Sequence, residues 1–566
     1  MSRAGANVLL ALLLLAGTAS SADVDTVPGQ TTGSVEELLH TLSLEQKVGQ
    51  LLMVGFGGRH MEPAIAGLLR RLHVGSVALY SRNISSTRQV ARLLADINRA
   101  MAGELPPFLA VDQEGGNVVR LKRDVMVLPG AMALGATGDE ALAFLAGQAV
   151  ATDLRLVGFN MNLAPVLDLN RDPRNPVINV RALGDDPATV SRLGVYLLLG
   201  QQLAGLATVA KHFPGHGTTS RDSHYSLPVV DLDRQQLLAV DLAPFRQAMA
   251  VGLDAVMVAH VQVPRIDPSG TPASLSRPLI EGLLRRQLGF AGVVITDDLE
   301  MHAVADRYGV GQAAVKAFLA GSDIIMVIWT PSRKQEVYQA LLQAVRDGTI
   351  SRQRLDQSVR RILRLKWKRG LFASRRQTDD SVRWLPNRLH QAVSRTVARR
   401  AVTLVRNEGG VLPLRAESRL LVAAAQEVFL KACREYLPRA RQLRLSRAPS
   451  RAQLARQLRR LQQLGADADK IVVAVSNQYH AWLVQRLYKT LSRPLVVVSF
   501  ASPYMLRYFP TVAGYLCTYS YQPSSQRAAA AALAGRLTIT GHLPVTISSR
   551  YRRGHGIFLK RTLTEK

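Results

Sequence analysis

Short apolar, β-branched runs alternate with longer stretches of helical periodicity over the first two thirds of the chain. The runs fall at residues 51–56, 74–80, 108–111, 160–167, 207–211, 255–260, 292–296 and 323–328. Such runs read as strands buried on both faces. Between them, helical patterning predicts helices over 87–101, 139–157, 189–206, 233–251 and 277–288. Eight β/α alternations predict a closed parallel barrel, although alternation by itself also suits a doubly wound sheet. Polar motifs directly after one strand after another favour the (β/α)8 barrel, whose chemistry sits on the loops at the strand ends.

A basic helical segment over 353–368 leads into polar, charged sequence. Beyond it the β/α pattern resumes, with strands expected at 420–424, 471–476, 494–500, 513–520 and 543–547, as in a smaller α/β sandwich. An Arg-rich stretch over 439–460 reads as helical and solvated. The expected organisation is a barrel over 35–371, a linker over 372–392 and a second α/β domain over 393–566. A length of 566 residues, 47% of them apolar, suits two packed domains.

The amino terminus adds a destination. A basic start at Arg3, an apolar run from Val8 to Ala16 and a small-residue exit at Ser20-Ser21-Ala22 form a signal-peptide pattern over 1–22. The apolar run is too short for a membrane anchor. Export to the periplasm or the exterior is therefore expected. Export permits a disulfide between Cys433 and Cys517, and two buried thiols fit equally well. The net charge is +29, with about 31 Lys/Arg against about 7 Asp/Glu from residue 381 onward. For an exported protein this field points to anionic envelope polymers or lipids as partners of the carboxy-terminal domain, with no nucleic acid expected.

Chemistry concentrates in three places. After the fifth run comes Lys211-His212-Phe213-Pro214-Gly215-His216-Gly217, then Asp222-Ser223-His224. Pro214, Gly215 and Gly217 oppose a helix that would bring His212 and His216 to one metal, so no metal is expected. Asp222, two residues from His224, suits a carboxylate that orients an imidazole for acid/base work. After the seventh run comes Asp297-Asp298-Leu299-Glu300-Met301; a carboxylate there can attack an anomeric carbon or, read alone, cap a helix. After the third run stand Asp112-Gln113-Glu114-Gly115-Gly116 and Arg120, side chains suited to sugar hydroxyls.

At these residues the chain resembles glycoside hydrolase family 3, in its β-N-acetylhexosaminidase branch. The resemblance runs over about 42–371 and more weakly through Ala401-Val402-Thr403-Leu404-Val405-Arg406-Asn407. It implies Asp297 as nucleophile, His224 as acid/base assisted by Asp222, and sugar binding by Asp112, Arg120, Arg181, Lys211 and His212. It also implies a retaining exo-hydrolase that takes terminal N-acetylglucosamine from cell-wall or related glycans without a cofactor. Two alternatives stand beside it: a β-glucosidase or phosphorolytic N-acetylglucosaminidase on the same fold, and a non-catalytic envelope-binding protein. Gly-x-Ser-x-Gly and Gly-Lys-Ser/Thr motifs are absent, which sets aside serine hydrolases and nucleotide enzymes.

Overall fold

A computed structural model describes residues 34–219, 227–373 and 379–562. The signal-peptide pattern over 1–22 and the Asp222/His224 pair lie outside the described residues.

Eight parallel strands form the first unit: β1 Leu52–Val54, β2 Ser76–Leu79, β3 Phe108–Val111, β4 Met161–Asn162, β5 Ala207–Phe213, β6 Ala255–Val258, β7 Val293–Thr296 and β8 Ile325–Val327. They pair in sequence order, and β8 returns to β1 with Met53 opposite Met326. A bridge between Ile295 and Ile324 joins β7 to β8 and closes the barrel. Every residue of these strands is buried, which is why each reads as an unbroken apolar run and not as an alternating one.

Local signals set the surrounding helices. Glu140–Val157 begins on Asp139, whose carboxylate accepts from Leu142 N, and ends at Gly158 with φ +117°. Its neighbour Pro187–Leu203 begins on Asp186 with proline at its start. The stretch expected as one helix over 233–251 is two, Arg234–Ala239 and Ala243–Ala250, because Pro244 starts a new first turn.

The second unit is a six-stranded sheet: β9 Thr403–Asn407, β10 Leu420–Ala424, β11 Arg441–Arg444, β12 Lys470–Val475, β13 Leu495–Ser499 and β14 Gly514–Cys517. Its order is β9-β14-β13-β12-β10-β11, parallel except for β9. Helices cover both faces over apolar layers. The Arg-rich stretch corrects the expectation of continuous helix: it holds β11, a loop and then the helix Arg451–Ala466, capped by Ser450. Residues 543–547 are not a strand. Their main chain is bonded to the barrel instead, through Asp185 N to Pro544 O at 3.2 Å and Thr546 N to the Asp185 carboxylate at 2.8 Å. Cys433 and Cys517 are both buried and free, which settles the open question of a disulfide.

The two units share a core. Met132, Ala133, Ala136 and Val180 of the first pack with Tyr504, Tyr519, Leu543 and Val545 of the second. Further polar contacts reach the loops above the barrel, among them Gln522 Nε2 donating to Gly116 O at 2.7 Å and Asn170 Nδ2 donating to the Tyr504 hydroxyl at 3.0 Å. Gly116 has φ +55°, and a Cβ there would come within 3.1 Å of Gly130 Cα and Pro129 O, so the turn it forms tolerates little adjustment.

Gln522 therefore braces the hairpin over 113–119. Replacing Gln522 by Ala should speed hydrogen exchange of the hairpin amides by up to roughly tenfold, the worth of one net hydrogen bond. Protection elsewhere in the barrel should stay unchanged, and unaltered exchange at 114–119 would show that the hairpin holds itself.

Candidate active site

One cavity of about 220 Å³ opens at the carboxyl ends of the barrel strands. Asp112, Glu114, Arg120, Arg181, Lys211, His212, His216, Asp297 and Asp298 all line it. Six residues expected to act here from sequence are thus brought together: Asp112, Arg120, Arg181, Lys211, His212 and Asp297.

The polar part is a relay of alternating charge. Arg120 Nη2 lies 3.1 Å from Asp112 Oδ2, and Lys211 Nζ lies 2.8 Å from Asp112 Oδ1. The same Nζ sits 2.7 Å from Glu114 Oε1. Arg181 grips Glu114 with both arms, Nε to Oε2 at 2.9 Å and Nη2 to Oε1 at 2.8 Å. Arg181 Nη2 then meets His212 Nε2 at 3.3 Å, and His212 Nδ1 meets Asp168 Oδ2 at 2.7 Å. A guanidinium only donates, so Nε2 accepts and the imidazole proton sits on Nδ1, facing Asp168. Asp168 also accepts from the main chain of His212 at 3.1 Å and of His216 at 2.7 Å.

Local structure places each member. Asp112 follows β3; Gln113 then anchors the hairpin by accepting from Arg120 N at 3.0 Å and Leu121 N at 3.1 Å. That fixes where Arg120 begins. Lys211 and His212 are successive residues of β5, and Asp168 follows the chain beyond β4.

Burial shapes the electrostatics. It alone would push the Glu114 carboxyl up, but Arg181 and Lys211 outweigh it and hold Glu114 well below the carboxylate range. The same competition leaves Asp112 lowered, against Lys211 and Arg120, and Asp168 lowered, against His212. Lys211 is raised because Asp112 and Glu114 overcome the cost of its burial. His216 is pushed down to about 4, mainly by burial and then by His212, and is neutral near pH 7.

Asp297 follows β7, its main-chain N–H bonded to Val258 O at 2.9 Å, and is half-buried on the cavity wall. Asp298 is buried and differently held: its N–H donates to Asp297 Oδ1 at 2.8 Å, and its Oδ1 accepts from Glu300 N at 3.1 Å. Burial, with Glu300 and Asp297 nearby, lifts Asp298 to about 7. The two adjacent aspartates are thus distinguished by environment. Glu300 turns away from acid/base work, since its carboxylate accepts the N–H groups of Trp329 and Thr330. Glu114 is equally committed, held ionised by Arg181 and Lys211.

Several residues here were not singled out from sequence. Asp168 is the main one; a carboxylate directly after the fourth apolar run was the available signal. Tyr80 and Trp329 also line the cavity, their rings 5.2 Å apart, and Arg82 sits over the Trp329 ring at 4.0 Å.

Comparison with known proteins sets this geometry in a lineage. Residues 43–365 match the model of the glycosyl hydrolase family 3 N-terminal domain. The chain belongs to glycosyl hydrolase family 3. Within this family it is 35% identical over 380 residues to beta-hexosaminidase A of Pseudoalteromonas piscicida, covering 63% of this chain and 63% of that relative. It is 39% identical over 280 residues to a beta-hexosaminidase of Pseudomonas aeruginosa strain PAO1, covering 49% of this chain and 81% of that one. Among solved structures, a family 3 beta-N-acetylglucosaminidase from Paenibacillus sp. str. FPU-7 superposes with a TM-score of 0.84 at 37% identity, over 90% of this chain and 99% of that one. A beta-glucoside phosphorylase, at a TM-score of 0.78 and 22% identity, shares the fold.

The elevated Asp298 gives a pH test. A carboxyl at about 7 in the fold and near 4 when unfolded costs nothing below pH 4. The cost grows between pH 4 and 7 and is complete above, on the order of a few kcal/mol. Asn keeps an oxygen for Glu300 N and removes the charge. The stability gain of Asp298→Asn over wild type, measured by urea unfolding, should therefore rise from pH 4 to 7 and level off. A gain or loss constant with pH would mean that Asp298 does not titrate in that range.

Proposed function

We propose that the protein is a retaining exo-β-N-acetylglucosaminidase acting on cell-wall or related glycans. The observation that carries the reading is Asp297: half-buried after β7, it lines the same cavity as a fixed set of sugar-grade donors and acceptors. The hexosaminidase and N-acetylglucosaminidase relatives named above support the choice of glycone.

In this reading the relay from Arg120 to Asp168 orients the glycone by its hydroxyls. The Asp297 carboxylate attacks the anomeric carbon as the glycosidic C–O bond breaks, and protonated His224 gives its proton to the leaving oxygen. Neutral His224, oriented by Asp222, then takes a proton from water. The hydroxide attacks the same carbon, and the Asp297 carboxylate leaves. A histidine replaces the second carboxylate of the usual pair. Two of the carboxylates otherwise available for that task, Glu114 and Glu300, are tied up by Arg181 and Lys211 and by main-chain N–H groups respectively.

Asp297→Ala should abolish turnover of a chromogenic N-acetylglucosaminide. His224→Ala should lose on the order of 10²–10⁴-fold on substrates with poor leaving groups and much less in the first step on aryl glycosides with acidic ones. Asp222→Ala should show a milder form of that pattern. Equal losses at every leaving group would make His224 a binding residue. Faster wild-type turnover of the glucoside, or a requirement for phosphate, would move the activity to another branch of the family.

We further propose that the protein is exported and held at anionic envelope polymers by its second domain. Arg441 and Arg444 on the edge strand and Arg451, Arg456, Arg459 and Arg460 on the following helix are all exposed, a surface that supports this reading. Protein recovered from producing cells should begin near Asp23 and sediment with envelope material at low salt. Raising salt should release it steeply. Salt-independent sedimentation, or an intact Met1 start, would contradict the proposal.

A further inference from the structure

The cavity has a strong burial gradient. Lys211 is 3% exposed and Asp112 8%, whereas Trp329 is 52% exposed on the same lining. A volume of about 220 Å³ holds one hexosamine residue and not a chain, so the glycone fills the polar part and the leaving group must lie toward the exposed part. Trp329 stands there, on the same lining as the two aspartates.

A large exposed aromatic side chain is ordinarily free to move, but this one is held from several sides. Its main-chain N–H is bonded to Glu300, a carboxylate with only 2% of its side chain exposed. One ring face is covered by the Arg82 guanidinium at 4.0 Å. Arg82 is itself fixed, with Nε donating to Phe56 O at 2.8 Å and Nη2 to Ile328 O at 3.1 Å. The Tyr80 ring, 5.2 Å away and tilted by 51°, limits the remaining freedom. The indole is therefore pre-organised, and half of its surface is left for something else to cover.

We propose that Trp329 is the platform for the first sugar of the leaving group. Resting on the N-acetylglucosaminidase reading, this assigns a second subsite to the cavity mouth, where the C–H face of a pyranose stacks on the indole. A pyranose ring suits it because such a ring presents axial C–H groups on one face and keeps its hydroxyls at the rim, in water. The aromatic surface needs only contact area and dispersion from its ligand, and Arg82 behind it keeps the ring from tilting away.

The test compares two leaving groups at one glycone. Substrates are the β-1,4 disaccharide of N-acetylglucosamine, which leaves as a pyranose, and methyl N-acetyl-β-glucosaminide, which leaves as methanol. Trp329→Ala should lower kcat/KM for the disaccharide roughly five- to tenfold and leave the methyl glycoside within about twofold. Trp329→Phe should recover part of the disaccharide loss. Equal losses on both substrates would place Trp329 in the glycone pocket, and an undiminished disaccharide rate would show that nothing stacks there; either result overturns the proposal. Wild-type turnover of the methyl glycoside tests the underlying activity separately, and the variant's own turnover of it reports that the variant is folded.

Discussion

Burying a carboxylate in a barrel mouth is costly unless a cation comes with it, and most of this site's architecture follows from that constraint. Asp112 and Glu114 are buried or nearly so and each is answered by cations, Asp112 by Arg120 and Lys211 and Glu114 by Lys211 and Arg181; Asp168 is met instead by the His212 Nδ1–H and two main-chain N–H groups. The answering groups come from different strands. Lys211 on β5 holds Asp112 beyond β3, and Arg181 in the loop beyond β4 holds Glu114 on the hairpin. Removing one member leaves its partner's charge uncompensated, a loss of about 3–5 kcal/mol for a buried pair. The relay is consequently both cross-bracing for three loops and a rigid set of hydroxyl partners, which is what holding a sugar in attack position requires.

The second domain extends the same bracing from outside. Gln522 and Tyr504 contact the Gly116 turn and the Asn170 loop, the segments that carry Glu114 and Arg120 on one side and Asp168 and Arg181 on the other. An amide and a phenol make these contacts, and burial keeps the phenol well above its ordinary titration range. Arg553 adds charge at the same seam, pairing with Asp185 at 3.1 Å and Asp186 at 3.3 Å, while an exposed basic surface lies on the edge strand β11 and the helix after it. There the arginines also blunt an unpaired strand edge against further pairing.

The barrel was legible because parallel strands covered on both faces leave uninterrupted apolar runs, and all eight expected runs overlap an observed strand. Legibility failed where apolarity did not mark the strand. Arg441–Arg444 is an edge strand with mostly polar side chains, so it reads as part of a basic helix. Residues 543–547 look strand-like but spend their main-chain bonds on Asp185 and His555. Within the site, residues in dense motifs were visible, and Asp168 was not: it stands among apolar neighbours, and its role exists only once β5 brings His212 beside it. Trp329 was hidden for a similar reason, since Arg82, Tyr80 and Glu300, which fix it, come from distant parts of the chain.

The assignment that matters most is the choice of Asp297 over its neighbour, since the buried, elevated Asp298 and the half-buried Asp297 differ by one position and opposite environments. Covalent trapping decides it. The intact protein is incubated with a 5-fluoro N-acetylglucosaminyl fluoride, whose slow second step lets a glycosyl ester accumulate. Peptide mass mapping should then find the added sugar on Asp297 and on no other residue. A label on Asp298, or turnover of the reagent with no ester trapped on any residue, would contradict the proposed chemistry.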